Sequence, residues 1–207
     1  MGELLAAAAL PQRRQQRHRH PDYALREPLE RCPPVDEAAL PVLLPLARSF
    51  LGESARPIAS TWFDKPAGAN WLVAPHQDLA QPFHARGEAA GVTGWTTKQG
   101  IPYALPPDEL LASLLALRLH IDDCPADNGA LAVVPGSHQL GRLSPAQLRE
   151  LPPAAFTPCP AAAGDVLAMR PLLVHRSSPA KSPTHRRVLH VVFAATPAPP
   201  PLAWRKP

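Results

Sequence analysis

Proline constrains this chain more than any other residue type. It occupies 29 of 207 positions, far above a usual share of about 5%. Its ring removes a backbone donor and blocks helix interiors and central strands. The chain must therefore fold as many short elements joined by ordered loops. Hydrophobic residues make up 45% of it, enough for one globular domain with a real core. Three segments are expected: a basic extension over 1–33 that starts disordered, a domain over 34–196, and a Pro-rich, loose tail over 197–207.

Periodicity supplies the elements. Leu40, Leu43, Leu44, Ala47, Phe50 and Leu51 follow helical spacing, with Gly52 as a C-cap. Pro41 and Pro45 would each cost about 3 kcal/mol inside a helix, so the helix is expected to start at one of them. Strands are expected over 58–63, 71–76, 113–122, 131–134, 165–169, 172–175 and 186–193. Within 113–122, Leu115, Leu117, Leu119 and Ile121 take one face, and Arg118, His120 and Asp122 take the other. Asn128-Gly129 predicts a hairpin between two of these strands, and Ser144-Pro145-Ala146-Gln147 predicts a capped helix. The stretch 81–107 reads as a long irregular loop, often an active-site cover. The sum is a mainly β fold, a jelly roll with one or two flanking N-terminal helices. No βαβ rhythm or phosphate-binding glycine fingerprint is present.

Charge and cysteines narrow the function class. Arg13, Arg14, Arg17 and Arg19 sit in one run, with Glu3 the lone acid of the first twenty residues. The excess of +4 is thus mostly a property of that arm, and no nucleic-acid groove is expected. Cys32, Cys124 and Cys159 have neither disulfide-framework nor zinc-site spacing, which suits a reducing cytoplasm. No apolar run approaches a membrane span. The opening MGELLAAAAL has Glu ahead of its apolar stretch, so no secretory signal is expected.

The chemistry concentrates in GDVLAMRPLLVHRSS and HRRVLHVVFA. These read as a strand closing at His175, a loop, and a strand opening at Arg186, so both residues can face one cavity. On the second strand Arg186 shares its side with His190, and Arg187 faces away with Leu189. Two His-x-Asp pairs lie upstream, His76-Gln77-Asp78 and His120-Ile121-Asp122. In an extended segment both side chains of either pair share a face, and chance supplies about 0.4 such pairs. Local spacing leaves the choice open, although His76 closes a strand where a metal ligand at a barrel mouth belongs. One such pair plus a distant histidine makes the facial triad of a non-haem Fe(II) site. Lys65, Asn70 and Arg118 are further candidates for the same pocket.

The ordered set HQDL, RLHIDD, ADNGALAVVPGSH, GDVLAMRPLLVHRSS and HRRVLHVVFA resembles the phytanoyl-CoA dioxygenase family over residues 56–194. The resemblance implies a double-stranded β-helix using Fe(II), 2-oxoglutarate and O2. By position it implies His76, Asp78 and His175 as metal ligands, with Arg186 and Ser177 binding 2-oxoglutarate. Asp78 favours hydroxylation, because related halogenases lack this carboxylate. The partner is then a small molecule, with no nucleic acid and no membrane. The competing readings are a cupin-like metalloenzyme without 2-oxoglutarate and a non-catalytic binding module.

Overall fold

The computed structural model describes residues 24–66, 72–181 and 184–206. Strand β1 (Ala24–Arg26) precedes helices α1 (Pro28–Arg31) and α2 (Pro33–Leu51). There follow β2 (Arg56–Lys65), β3 (Val73–His76), β4 (Gln81–Pro82), β5 (Thr93–Lys98), β6 (Ile101–Leu105) and α3 (Asp108–Ser113). The second half holds β7 (Leu115–His120), β8 (Leu131–Val133), α4 (Pro145–Glu150), β9 (Thr157–Cys159), β10 (Val166–Met169), β11 (His175–Ser177) and β12 (Arg186–Ala194). A large sheet runs β1-β2-β12-β7-β10 and a smaller one β3-β11-β8-β9, with antiparallel pairing throughout. Both line one cavity, as the double-stranded β-helix requires.

The two faces of the large sheet do different work. Leu117, Leu119, Leu189, Val191 and Phe193 are buried beneath α2, packed against Val35, Ala39, Leu43 and Ala47. The other face carries Ala59, Ala116 and Val192 into a second apolar cluster that plugs part of the barrel interior. The rest of that face is polar and lines the cavity. The side of β12 that holds Leu189 is therefore not solvent-facing; a helix covers it.

Helix α2 departs from expectation, running unbroken through Pro41 and Pro45. Its four-residue stripe Val35, Ala39, Leu43 and Ala47 is completely buried, and burial of that stripe outweighs the local cost. Both prolines sit on the exposed face, where water can satisfy the carbonyls they leave unpaired.

Four further expectations are corrected. The stretch 81–107 is ordered as a third sheet, β4-β6-β5, with its tight turn at Gln99-Gly100. Asn128-Gly129 does not close a hairpin, since β7 and β8 belong to different sheets. Only Gly129 takes a positive φ there, whereas a type I′ turn needs two. His175 opens β11 rather than closing a strand, because 170–174 is a turn held by Leu173 N–H to Arg170 O and Val174 N–H to the Ser137 hydroxyl. The tail docks instead of hanging loose: Trp204 is buried, stacks on Phe83 at 4.9 Å, and donates to Thr196 O. One large indole contributes more burial there than the flanking prolines forfeit in backbone pairing.

Arg187, on the helix-covered side of β12, meets Asp122 through two side-chain bonds of 2.6 and 2.8 Å. Its backbone N–H donates to the same carboxylate at 2.8 Å. Burial would raise the Asp122 pKa, but these bonds and the guanidinium charge hold it below the usual carboxylate range. A depressed folded pKa stabilises the protein above the unfolded value of about 3.9 and loses that contribution as pH falls through the folded one. In Asp122→Asn the thermal midpoint should accordingly depend less on pH between about 5 and 3 than in the wild type. Parallel melting curves across that range check this.

Candidate metal centre

The site begins with strand pairing. Antiparallel β3 and β11 set His76 directly opposite His175, and the two rings lie 4.1 Å apart, centroid to centroid. Asp78 follows just past the end of β3. Its backbone N–H donates to Pro171 O at 2.8 Å, and its own carbonyl accepts from Gln81 Nε2 at 2.8 Å. Between them Gln77 turns away from the two ligands' side. It donates to Leu172 O at 2.6 Å and Gly141 O at 2.8 Å, and accepts from Leu143 N–H at 2.9 Å. One amide thus pins the His-x-Asp segment to two other loops.

The donor atoms of His76, Asp78 and His175 all lie within 4.8 Å of one another, and among the described residues no other such cluster forms. The Asp78 carboxylate stands 4.0 Å from His76 Nε2 and 3.8 Å from His175 Nε2. Two donors on one face of an ion, each about 2.1 Å from it, are separated by about 3 Å, so these side chains need to draw in by about 1 Å to close on a shared cation. The tautomers suit this. His76 Nδ1 donates to Ala74 O and His175 Nδ1 to Leu173 O, each at 2.9 Å. That leaves both Nε2 lone pairs aimed at the carboxylate. Burial opposes ionising Asp78, but His175, His190, His76 and Arg118 outweigh it and hold its pKa at about 2.

His190 is a third imidazole beside the carboxylate, with Nε2 3.8 Å from Asp78 Oδ2. Burial drives its pKa down to about 3 against the pull of Asp78. As a neutral ring its Nδ1 accepts from Arg118 Nη1 at 3.3 Å. Arg118 also lies over the Phe63 ring at 5.5 Å.

Arg186, at the start of β12, lines the same cavity of about 500 Å³. It donates to Gly129 O and lies 3.8 Å from Cys124 Sγ. Gly129 must be glycine: its φ is +68°, and a Cβ there would meet Ser178 O at 2.7 Å. Lys65 is the cross-strand neighbour of Arg186. Its pKa falls to about 8, first through burial and then through the Arg186 charge. Ser177, also buried, lines the cavity from β11. Of the predicted site residues, seven therefore reach one cavity: His76, Asp78, His175, Arg186, Ser177, Lys65 and Arg118. Asn70 lies outside the described residues. The second pair does not assemble: Asp122 is held by Arg187, and His120 is buried in the large sheet.

Sequence reasoning gave no site role to Gln77, His190, Arg26 or Lys98. His190 shares its side of β12 with Arg186, so strand parity held the signal. Arg26 and Lys98 reach the cavity only because β1 and the β5–β6 hairpin fold across it, and no local pattern encodes that.

A family model described as phytanoyl-CoA dioxygenase matches residues 7–188. The chain belongs to that family. It is an Fe(II)- and 2-oxoglutarate-dependent oxygenase in type, and its His76, Asp78 and His175 form a cluster that could hold a metal ion. Solved structures agree on the phytanoyl-CoA dioxygenase fold. EvdMO1 is 25% identical at a TM-score of 0.61, over 85% of this chain but 36% of its own. The epimerase SnoN, in complex with Fe3+, alpha ketoglutarate and nogalamycin RO, is 19% identical at 0.66, over 99% of this chain and 77% of its own. HygX from Streptomyces hygroscopicus, with nickel and 2-oxoglutarate bound, is 16% identical at 0.62, over 93% and 77%. The chain thus spans about a third of EvdMO1 and three quarters of the other two. No curated protein sequence matches it. Among the described residues no helix is long and apolar enough to cross a membrane.

Proposed function

We propose that this protein hydroxylates a small organic molecule, with His76, Asp78 and His175 holding Fe(II) and Arg186 anchoring 2-oxoglutarate. The observation that carries this is the cross-strand His76–His175 pair converging on an ionised Asp78 inside a cavity that Arg186 also lines. Iron and 2-oxoglutarate together supply dioxygen activation: substrate C–H, O2 and 2-oxoglutarate become C–OH, succinate and CO2.

The chain's own residues bind, orient and shield. His76, Asp78 and His175 would hold the metal, which with 2-oxoglutarate would supply the dioxygen chemistry. Arg186 meets the far carboxylate with a planar, permanently charged fork, Lys65 adds a second charge beside it, and the Ser177 hydroxyl offers a further hydrogen bond. Arg118 holds neutral His190 against Asp78, which steadies the carboxylate's direction. Cys32, Cys124 and Cys159 are all free, in keeping with a cytoplasmic setting.

Because one structural neighbour is an epimerase, the product must be weighed. In oxygen-uptake assays with Fe(II), 2-oxoglutarate and a metabolite library, hydroxylation predicts succinate release matched by a product heavier by one oxygen atom. An isomer of unchanged mass would overturn hydroxylation. Turnover without succinate would favour the cupin-like alternative.

A further inference from the structure

The cavity holds more positive charge than its metal and cosubstrate require. Arg186 and Lys65 sit together at one end, matched to a cosubstrate carboxylate, and Arg118 is engaged with His190 and Asp78. Two further cations line the cavity, Lys98 of β5 and Arg26 of β1, whose guanidinium donates to Thr61 Oγ1 at 2.9 Å. Both lie over one aromatic ring, that of Tyr103. The Arg26 guanidinium carbon is 5.8 Å and Lys98 Nζ 4.7 Å from the Tyr103 centroid. The two charges are therefore no more than 10.5 Å apart, the sum of those ring distances.

Neither has an ion-pair partner among the described residues, and each repels the other. The one acid that attracts Lys98 is Asp78, whose charge a bound metal takes up. Asp64, the other acid lining the cavity, is held by His185 at 2.6 Å. A cation over a ring gains about 0.5–1 kcal/mol when exposed, which does not explain bringing two together in a half-buried place.

The fold also fixes their arrangement. Gln99, at the tip of the β5–β6 hairpin, accepts from Arg26 N–H at 3.0 Å and donates to Ala24 O at 2.7 Å. Gln99 and Gly100, with φ of +50° and +83°, are the two central residues of that hairpin turn, as its primed geometry requires. The latch ties β1 to the hairpin, so Arg26 and Lys98 face the cavity as a set.

We infer that Arg26 and Lys98 form a second anion subsite, distinct from the cosubstrate's, and that the primary substrate carries a carboxylate or phosphate group that docks there. This rests on the oxygenase reading above and adds the substrate class. The rest of the substrate then lies along Tyr103, Leu105 and Val73, which line the same cavity.

The test uses the full chain loaded with Zn(II) and saturating 2-oxoglutarate, which does not turn over and keeps Arg186 occupied. Fluorine NMR follows three probes that share one ring: para-fluorobenzoate, para-fluorophenyl phosphate and neutral para-fluorobenzyl alcohol. At least one anion should bind about tenfold or more tightly than the alcohol, and the tighter anion identifies the headgroup. Lys98→Met and Arg26→Gln should each erase most of that preference, and Lys98→Arg should keep it. Equal binding of all three probes, no binding of any, or a preference that survives both variants overturns the inference. Cosubstrate affinity is measured in the same samples. If the metal-loaded wild type does not bind 2-oxoglutarate, the oxygenase reading itself fails; if it does and the anion preference is missing, only the subsite is lost.

Discussion

His175→Ala should purify without iron and show no visible charge-transfer band when Fe(II) and 2-oxoglutarate are added without oxygen. Losing an outer partner of a metal ligand costs roughly 10–100-fold in affinity, and His175 is one of the three proposed donors, so a loss of at least about 100-fold is expected. The position cannot be covered by a neighbour. His190 Nε2 lies as near Asp78 as His175 Nε2 does, yet its Nδ1 is engaged by Arg118. A tautomer with a free Nε2 lone pair would have to point an N–H at a guanidinium. Asp122→Asn is the matched control, since it removes the acid of the other His-x-Asp pair. It should keep full metal content and the band. A band unchanged in His175→Ala would remove His175 from the ligand set, and a band lost in Asp122→Asn would mean that the wrong pair has been assigned.

That choice between pairs marks how far the sequence could be read. Each pair satisfies the alternation that puts a histidine and an aspartate on one face. What separates them is partnership across the fold: His76 faces His175 across the β3–β11 ladder, whereas Asp122 is claimed by Arg187. Parity along β12 was legible, and it correctly divided Arg186 and His190 from Arg187, because period-two alternation is intrinsic to a strand. Failures came where distant burial overrules local preference. Pro41 and Pro45 argue for a break, but the stripe from Val35 to Ala47 is worth more than two lost hydrogen bonds. The Asn128-Gly129 pair names a turn without saying which strands flank it, and here they lie in different sheets. Arg26 and Lys98 meet over Tyr103 from segments more than seventy residues apart, a juxtaposition set by topology alone.

Arg186→Ala should leave metal content intact while weakening 2-oxoglutarate binding. Truncating one partner of a buried, hydrogen-bonded charge pair costs about 2–5 kcal/mol, which corresponds to roughly 30-fold or more in Kd. The anaerobic band titration reads this directly, as a shifted midpoint with unchanged amplitude. Arg186→Lys should recover only part of the loss, because a point charge cannot match a carboxylate with two parallel bonds. Lys65 offers a second readout. Its pKa is lowered to about 8, so in the wild type cosubstrate affinity should be full below that pH and decline above it as the ammonium deprotonates. Burial is the larger cause of this shift and the Arg186 charge the smaller. In Arg186→Ala the decline should therefore move to higher pH but not vanish. A midpoint that shifts in neither variant, with iron still bound, would place the cosubstrate carboxylate elsewhere. A weakened midpoint whose pH dependence stays where it was would separate Lys65 from Arg186 and leave the guanidinium as the anchor.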